Sequence, residues 1–212
     1  MLPIVTVPRL WPGATVICLG SGPSLVPGDV DALASRGRQR QPHYVIAVND
    51  AYRLAPWADV LYAPDARWWG WHGAGASSFP GRKYTLDDSE AAAAAGAERL
   101  NYRSGGGLSD DPTTIMTGGH AGYQAINVAV HLGAARIILL GYDLQPEEAT
   151  GRHHYFGDHP DGSHVPYDEW RDIYQTLLKP LARRNITIVN ASRATAIVAI
   201  PRQPLADVLM SL

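Results

Sequence analysis

The chain has 212 residues, 46% of them hydrophobic, and its 18 Lys and Arg stand against 20 Asp and Glu for a formal net charge of −2. A chain of that length buries on the order of 70% of its unfolded surface as one compact unit, so a core forms without disulfides or a structural metal. The near-neutral balance excludes a whole-protein electrostatic grip on nucleic acid or an anionic membrane, and the single cysteine, Cys18, excludes an internal disulfide and a Cys-based zinc site.

The first apolar run, Ala14 to Leu19 (ATVICL), reads as a buried strand that carries Cys18 into the interior. Gly20, Ser21, Gly22, Pro23, Ser24 and Leu25 follow it directly. Glycines at a strand end let backbone N–H groups approach an anion, and Ser21 and Ser24 add hydroxyl donors, so this is a candidate phosphate loop. A tight strand-to-helix turn explains the same residues. The dinucleotide fingerprint is missing, because Leu25 stands where it has a third Gly and Pro23 has no N–H. No Walker A sequence occurs. A helix is expected over Asp29 to Ser35, and Arg36, Arg38 and Arg40 read as a solvated turn.

A second strand, Tyr44 to Val48, ends in Asn49-Asp50, near the place where a Rossmann-type fold sets its ribose-binding acid. Asn49 offers both a donor and an acceptor to a ribose hydroxyl or a phosphate, and an Asx turn is the plainer account of the pair. The third strand, Val60 to Ala63, is followed by Pro64-Asp65. Asp65 is a candidate for orienting a ribose or holding a magnesium ion, or else belongs to a surface turn. The stretch from Trp68 to Gly81 is rich in Gly and aromatics without a clean period and reads as a functional loop or lid. Its Arg67-Trp68-Trp69-Gly70-Trp71-His72 run suits an acceptor pocket, and packing onto the sheet explains it equally well.

A helix near Ser89 to Glu98 carries the alanine run Ala91 to Ala95, which propensity alone explains. Thr117-Gly118-Gly119-His120 opens a strongly apolar helix, Gly119 to Leu132, that ends at Gly133. Unsatisfied N–H groups and the helix dipole make that start a second candidate anion site, with Thr117 as a simple N-cap in the competing view. His131, late on this helix, reads as a structural histidine. The strand Arg136 to Leu140 runs into Gly141-Tyr142-Asp143 and then a second loop or lid, Gln145 to Pro166. Four of the eight histidines, His153, His154, His159 and His164, crowd this segment beside Asp158 and Asp161. A histidine general base is the sharper reading, because imidazole takes a proton near neutral pH. A His/Asp metal site and a solvated polar loop are the others, and no established zinc spacing is matched. A last helix, Tyr167 to Arg183, precedes the strand Ile186 to Val189.

Five apolar strands at minimum, alternating with helices, imply an α/β fold: a Rossmann-like, doubly wound, mostly parallel sheet in a single domain. No apolar stretch approaches the roughly 18 residues needed to span a bilayer, and the start, MLPIVTVPRLWPG, is unlike a signal peptide. A soluble, cytoplasmic protein is therefore expected, with a homo-oligomer left open.

Taken together, GSGPSL, Val-Asn-Asp, Thr-Gly-Gly before the buried helix, RIILLGYDL and HHYFGDH, in this order from Gly20 to Asn190, resemble two related groups. These are the bacterial sialyltransferases of glycosyltransferase family 42 and the archaeal-type 6-hydroxymethylpterin pyrophosphokinases. PWADVLYAPDARWW and HAGYQAINVAVHLGAARIILLGYDL also look like phage and prophage proteins. The first resemblance implies a nucleotide-dependent transferase that moves a glycosyl group from a nucleotide sugar to an acceptor hydroxyl, with no required cofactor. In it Gly20, Ser21, Gly22 and Ser24 match the nucleotide-phosphate loop, Asn49 the nucleotide-contacting Asn, and Thr117, Gly118 and Gly119 a second donor-binding loop. His159, or alternatively His154, matches the base, and Tyr155 a phosphate-contacting tyrosine. The second resemblance implies ATP and Mg2+, with Asp65 and Asp143 as candidate metal contacts. A non-catalytic nucleotide-binding phage protein is the third expectation.

Overall fold

The computed structural model describes residues 1–36, 43–159 and 165–212. Arg38, Arg40, Asp161 and His164 lie outside the described residues. In chain order the elements are β1 (Thr15–Leu19), α1 (Pro27–Ser35), β2 (His43–Val48), a 3-10 turn (Asn49–Arg53), β3 (Val60–Tyr62), α2 (Ala66–Ala76), β4 (Arg82–Thr85), α3 (Glu90–Ala94) and β5 (Glu98–Arg99). They continue as β6 (Asn101–Arg103), β7 (Thr114–Met116), α4 (Ala121–Leu132), β8 (Arg136–Leu140), α5 (Tyr167–Asp172), α6 (Gln175–Arg183), β9 (Thr187–Asn190) and α7 (Leu205–Met210).

Seven strands form one all-parallel sheet in the order β5-β4-β3-β2-β1-β8-β9, and β6 and β7 pair separately. The architecture is the Rossmann-like α/β fold expected of the apolar runs. Both faces of the sheet are covered, so β1 is buried at every residue. Its alternate side chains split between two cores: Val16 and Cys18 pack on the α4 and α6 side, and Ile17 and Leu19 on the side of α1, α2 and α7. Each fully buried Ile or Leu contributes about 1.5–3 kcal/mol, which is why this strand is apolar without a break. Burial pushes the Cys18 thiol up to about 12, leaving it a packing residue.

The chain leaves β1 toward β2 and returns on its other side as β8, so the strand order reverses between β1 and β8. In an open parallel sheet that reversal leaves a crevice at the carboxyl ends, here bounded by the residues after Leu19, Val48, Tyr62 and Leu140.

Several local expectations need correction. Trp68 to Gly81 is not a loop: its first part lies in α2, with Trp68, Trp69, Gly73 and Ala76 buried. The stripe Trp69, Gly73, Ala76 has helical spacing, hidden in the sequence because its middle member is glycine. The helix near Ser89 to Glu98 stops at Ala94, and Glu98 and Arg99 instead form the short edge strand β5. Tyr167 to Arg183 is two helices broken at Ile173 and Tyr174, not one. β4 was missed because its first residues, Arg82 and Lys83, are polar and only partly buried. His131 accords with its structural reading, its Nε2 lying 2.9 Å from the Thr114 carbonyl. Among the described residues no helix is long and apolar enough to cross a membrane.

Candidate functional site

A cleft of about 350 Å³ opens at the reversal between β1 and β8. Its floor is Gly20 to Pro23, Asn49 and Gly141 to Asp143, and Asp65, Trp68 and Trp71 line one side. Gly119 to Gly122, Tyr167 and Trp170 line it too, and His153, His154 and His159 complete it. The glycine turn and the His-rich segment therefore meet at one mouth. Ser21 Oγ lies 3.3 Å from His154 Nδ1, and the Tyr155 N–H donates to the Ser21 carbonyl at 3.0 Å.

The glycine turn is less open to an anion than its sequence suggests. Gly20 N–H donates to the Leu140 carbonyl at 2.8 Å, Gly22 N–H to the Gly141 carbonyl at 2.8 Å, and Leu25 N–H to the Gly22 carbonyl at 3.1 Å. Ser24 N–H donates to Asp143 Oδ2 at 2.7 Å, and Pro23 has no N–H. The glycines are needed for close approach to the end of β8. A Cβ on Gly20 would stand 2.5 Å from the Gly141 carbonyl oxygen, and one on Gly22 would stand against Asp143 Oδ1. Ser24 does not line the cleft, and its Oγ accepts from the Ala194 N–H at 3.2 Å.

Asp143 is buried, and burial pushes its carboxyl up to about 6, partly offset by the neighbouring Ser24 groups. Asp65, at the start of α2, is raised by burial as well, with Arg67 and His159 nearby opposing the shift. Asn49 sits at φ +49, a left-handed conformation that Asn tolerates better than most residues. Asp50 does not line the cleft. Its Oδ2 accepts from Trp68 Nε1 at 2.9 Å, and Oδ1 lies 3.3 Å from Arg53 and 3.6 Å from His72. Asp50 thus ties α2 to the end of β2. Tyr155 is placed similarly: its hydroxyl donates to the Asp50 carbonyl at 2.7 Å, outside the cleft.

At α4, Gly119 reaches the cleft but Thr117 and Gly118 do not line it. Thr117 N–H donates to the Arg103 carbonyl at 3.0 Å, and Gly118, at φ +51, packs so closely on the Tyr123 ring that no Cβ fits. His120, not Thr117, is the N-cap, and its side chain makes no capping bond. Burial lowers its pKa to about 3, so it is a neutral imidazole. Its ring stacks on Trp170 with centroids 4.9 Å apart and planes 26° apart. His154 is likewise held at about 4, chiefly by burial and then by His159. The His159 ring lies 4.6 Å from that of His154 and 6.0 Å from that of Trp71.

Of the eight buried side-chain atoms that find no hydrogen-bond partner among the described residues, four are on residues that line this cleft: Asn49 Oδ1, His120 Nε2, Asp143 Oδ1 and His159 Nδ1. Buried polar groups are nearly always paired, by protein, water or ligand, so such a gathering makes this cleft the candidate ligand site. Among the described residues no group of three or more His, Cys, Asp and Glu could hold a metal ion. Tyr167 and Trp170 were not singled out from the sequence, although an aromatic pair three positions apart on a helix after the His-rich segment was a readable signal. The chain matches no protein-family model, no curated protein and no solved structure.

Proposed function

We propose that this cleft binds a nucleotide-activated donor and that the protein is a transferase, moving a glycosyl group to an acceptor hydroxyl with His159 as general base. The observation that carries the reading is the set of four orphaned polar atoms around one cleft at the strand-order reversal, where parallel α/β sheets take their ligands. His159 combines a buried, unpartnered nitrogen with a ring held between Trp71 and His154. A positioned base contributes about 10²- to 10⁴-fold in rate. His154, whose pKa of about 4 makes it a weak base, fits better as the neighbour that Ser21 orients. The donor's leaving nucleotide would carry its negative charge toward the first turn of α4, where backbone N–H groups lack intrahelical partners.

A second reading, pyrophosphoryl transfer from ATP, is favoured by one observation: two carboxyls, Asp65 and Asp143, line the same cleft. Both suit the oxygen-donor preference of a magnesium ion, which commonly takes one or two carboxylates and fills its remaining positions with water and phosphate oxygens. Bound there, the ion would neutralise charge on the transferred group.

The test is nucleotide binding followed by turnover. CMP, CMP-sugars and ATP are screened by thermal shift, and saturation at 100 times Kd should stabilise the fold by about 2.7 kcal/mol. His159→Ala should then abolish transfer while preserving affinity. Turnover that persists in chelator leaves the glycosyl reading, turnover that stops leaves the pyrophosphoryl one, and binding without turnover on any acceptor leaves a nucleotide-binding module.

A further inference from the structure

The cleft is polarised in its hydrogen-bonding groups. On the floor, where β1 meets β8, most of the turn's donors are spent: the N–H groups of Gly20, Gly22, Ser24 and Leu25 all bond within the protein, which leaves that of Ser21. The buried, unpaired side-chain atoms on that floor are acceptor oxygens, Asn49 Oδ1 and Asp143 Oδ1. The Asp143 carboxylate already occupies the concave side of the glycine turn, bonded to Ser24 N–H and pressed against Gly22. A phosphate set into the turn would meet that carboxylate and few free donors. Across the cleft the balance is reversed. The first three N–H groups of the twelve-residue helix α4, from Ala121 to Tyr123, have no intrahelical partner, and its first turn carries no acidic side chain. The buried, unpartnered Nε2 of the neutral His120 stands at the same helix start.

We infer that the ligand lies with its hydroxyl- or amino-bearing, uncharged part on Asp143 and Asn49 and its phosphate on the start of α4, which makes Asp143 a specificity-determining residue for the sugar or base. The inference rests on the nucleotide reading above and deepens it, since the glycine turn, a candidate phosphate loop by sequence, then reads hydrogen-bond donors instead of cradling an anion. A ligand hydroxyl donating to Asp143 Oδ1 pairs an otherwise unsatisfied buried oxygen, which favours the ionised carboxylate. An inorganic phosphate brings negative charge against the same carboxylate and is disfavoured at the floor. Selection for a nucleoside moiety follows from the same geometry, because two fixed acceptors reject any group that arrives without donors.

Amide chemical shifts of the full chain locate each part of the ligand without relying on a variant. Pyrophosphate, cytidine, adenosine, CMP and ATP are titrated separately. Pyrophosphate should move the amides of Gly119 to Tyr123 and spare Gly20 to Leu25, and the nucleoside that binds should do the reverse. Asp143→Asn, which turns an acceptor into a donor, should weaken nucleoside binding by roughly tenfold or more and change pyrophosphate binding less than threefold. Pyrophosphate shifts confined to Gly20 to Leu25, or pyrophosphate binding tightened tenfold by Asp143→Asn, would overturn the orientation and leave nucleotide binding standing. If none of the five compounds moves a cleft amide, the nucleotide reading itself fails, and this inference with it.

Discussion

The rings of Trp71 and His159 stack with centroids 6.0 Å apart and planes 26° apart, joining α2 to the His-rich segment across 88 positions of sequence. Trp71 is 39% exposed, so it contributes little to the core, whereas its neighbours Trp68 and Trp69 are 2% and 1% exposed. On the proposed reading it acts through the ring that it supports.

Trp71→Ala should therefore lower transfer turnover by roughly an order of magnitude with little change in nucleotide affinity, and Trp71→Phe should restore most of it. The loss reflects a base that is no longer held in place. Steady-state kinetics of the three proteins, with nucleotide Kd measured alongside, check this. A rise in Kd with unchanged turnover would show Trp71 to be a ligand contact instead.

Tyr155 offers a contrast between a binding role and an anchoring one. Its hydroxyl donates to the Asp50 carbonyl, so Tyr155→Phe should cost about 1 kcal/mol of stability and leave nucleotide affinity within twofold. Chemical denaturation and a binding titration on the same preparation suffice. An affinity loss of tenfold with unchanged stability would return the tyrosine to the phosphate.

Two glycines, one within the turn and one just after it, should respond oppositely. Gly22→Ala places a Cβ 2.8 Å from the Gly141 carbonyl oxygen and closer still to Asp143, with no flexible chain end to yield, and should cost about 1–3 kcal/mol. Gly28→Ala, in the first turn of α1 with nothing within 4 Å, should be neutral or stabilising by up to about 1 kcal/mol. Urea midpoints compare them directly. Equal effects would mean that the close approach of Gly22 to β8 is relaxed at little cost.

Stability should fall on mild acidification. His120 and His154 are held by burial at about 3 and about 4, below the 6.5 of an exposed imidazole, so the unfolded chain takes up their protons first. The stability they contribute is whole above pH 6.5 and is lost as pH drops toward 4. Asp143 has the opposite sign: raised to about 6 by burial, its contribution is present below the ordinary carboxylate range and lost as pH rises through 6. The two histidines together outweigh the one carboxyl, so thermal melts should show a lower Tm at pH 5 than at pH 7.5. His120→Gln should flatten part of that slope. A Tm that rises on acidification would mean that Asp143 dominates the cleft.

How much of this was legible in the chain differs between fold and site. The apolar runs behind β1, β2, β3, β8 and β9 marked a buried parallel sheet, because a strand covered on both faces must be apolar along its length, and that signal is local. So was the buried helix α4, closed by Gly133 at φ +107. Elements whose burial is partial, such as β4, or whose stripe includes a glycine, such as α2, left too faint a pattern to read.

The site followed other rules. Composition and spacing put the glycine turn, Asn49, Asp65, Asp143 and the histidines at strand ends, and they do share one cleft. Spacing could not tell which of their polar groups remain open. That depends on bonds such as Ser24 to Asp143, made across 119 positions, and Tyr155 to Asp50, across 105. Periodicity is a property of neighbours along the chain, and it determined the layers. Hydrogen-bond pairing is a property of neighbours in space, and only the folded arrangement decided that four of the turn's N–H groups bond within the protein while oxygens at Asn49 and Asp143 still lack a donor.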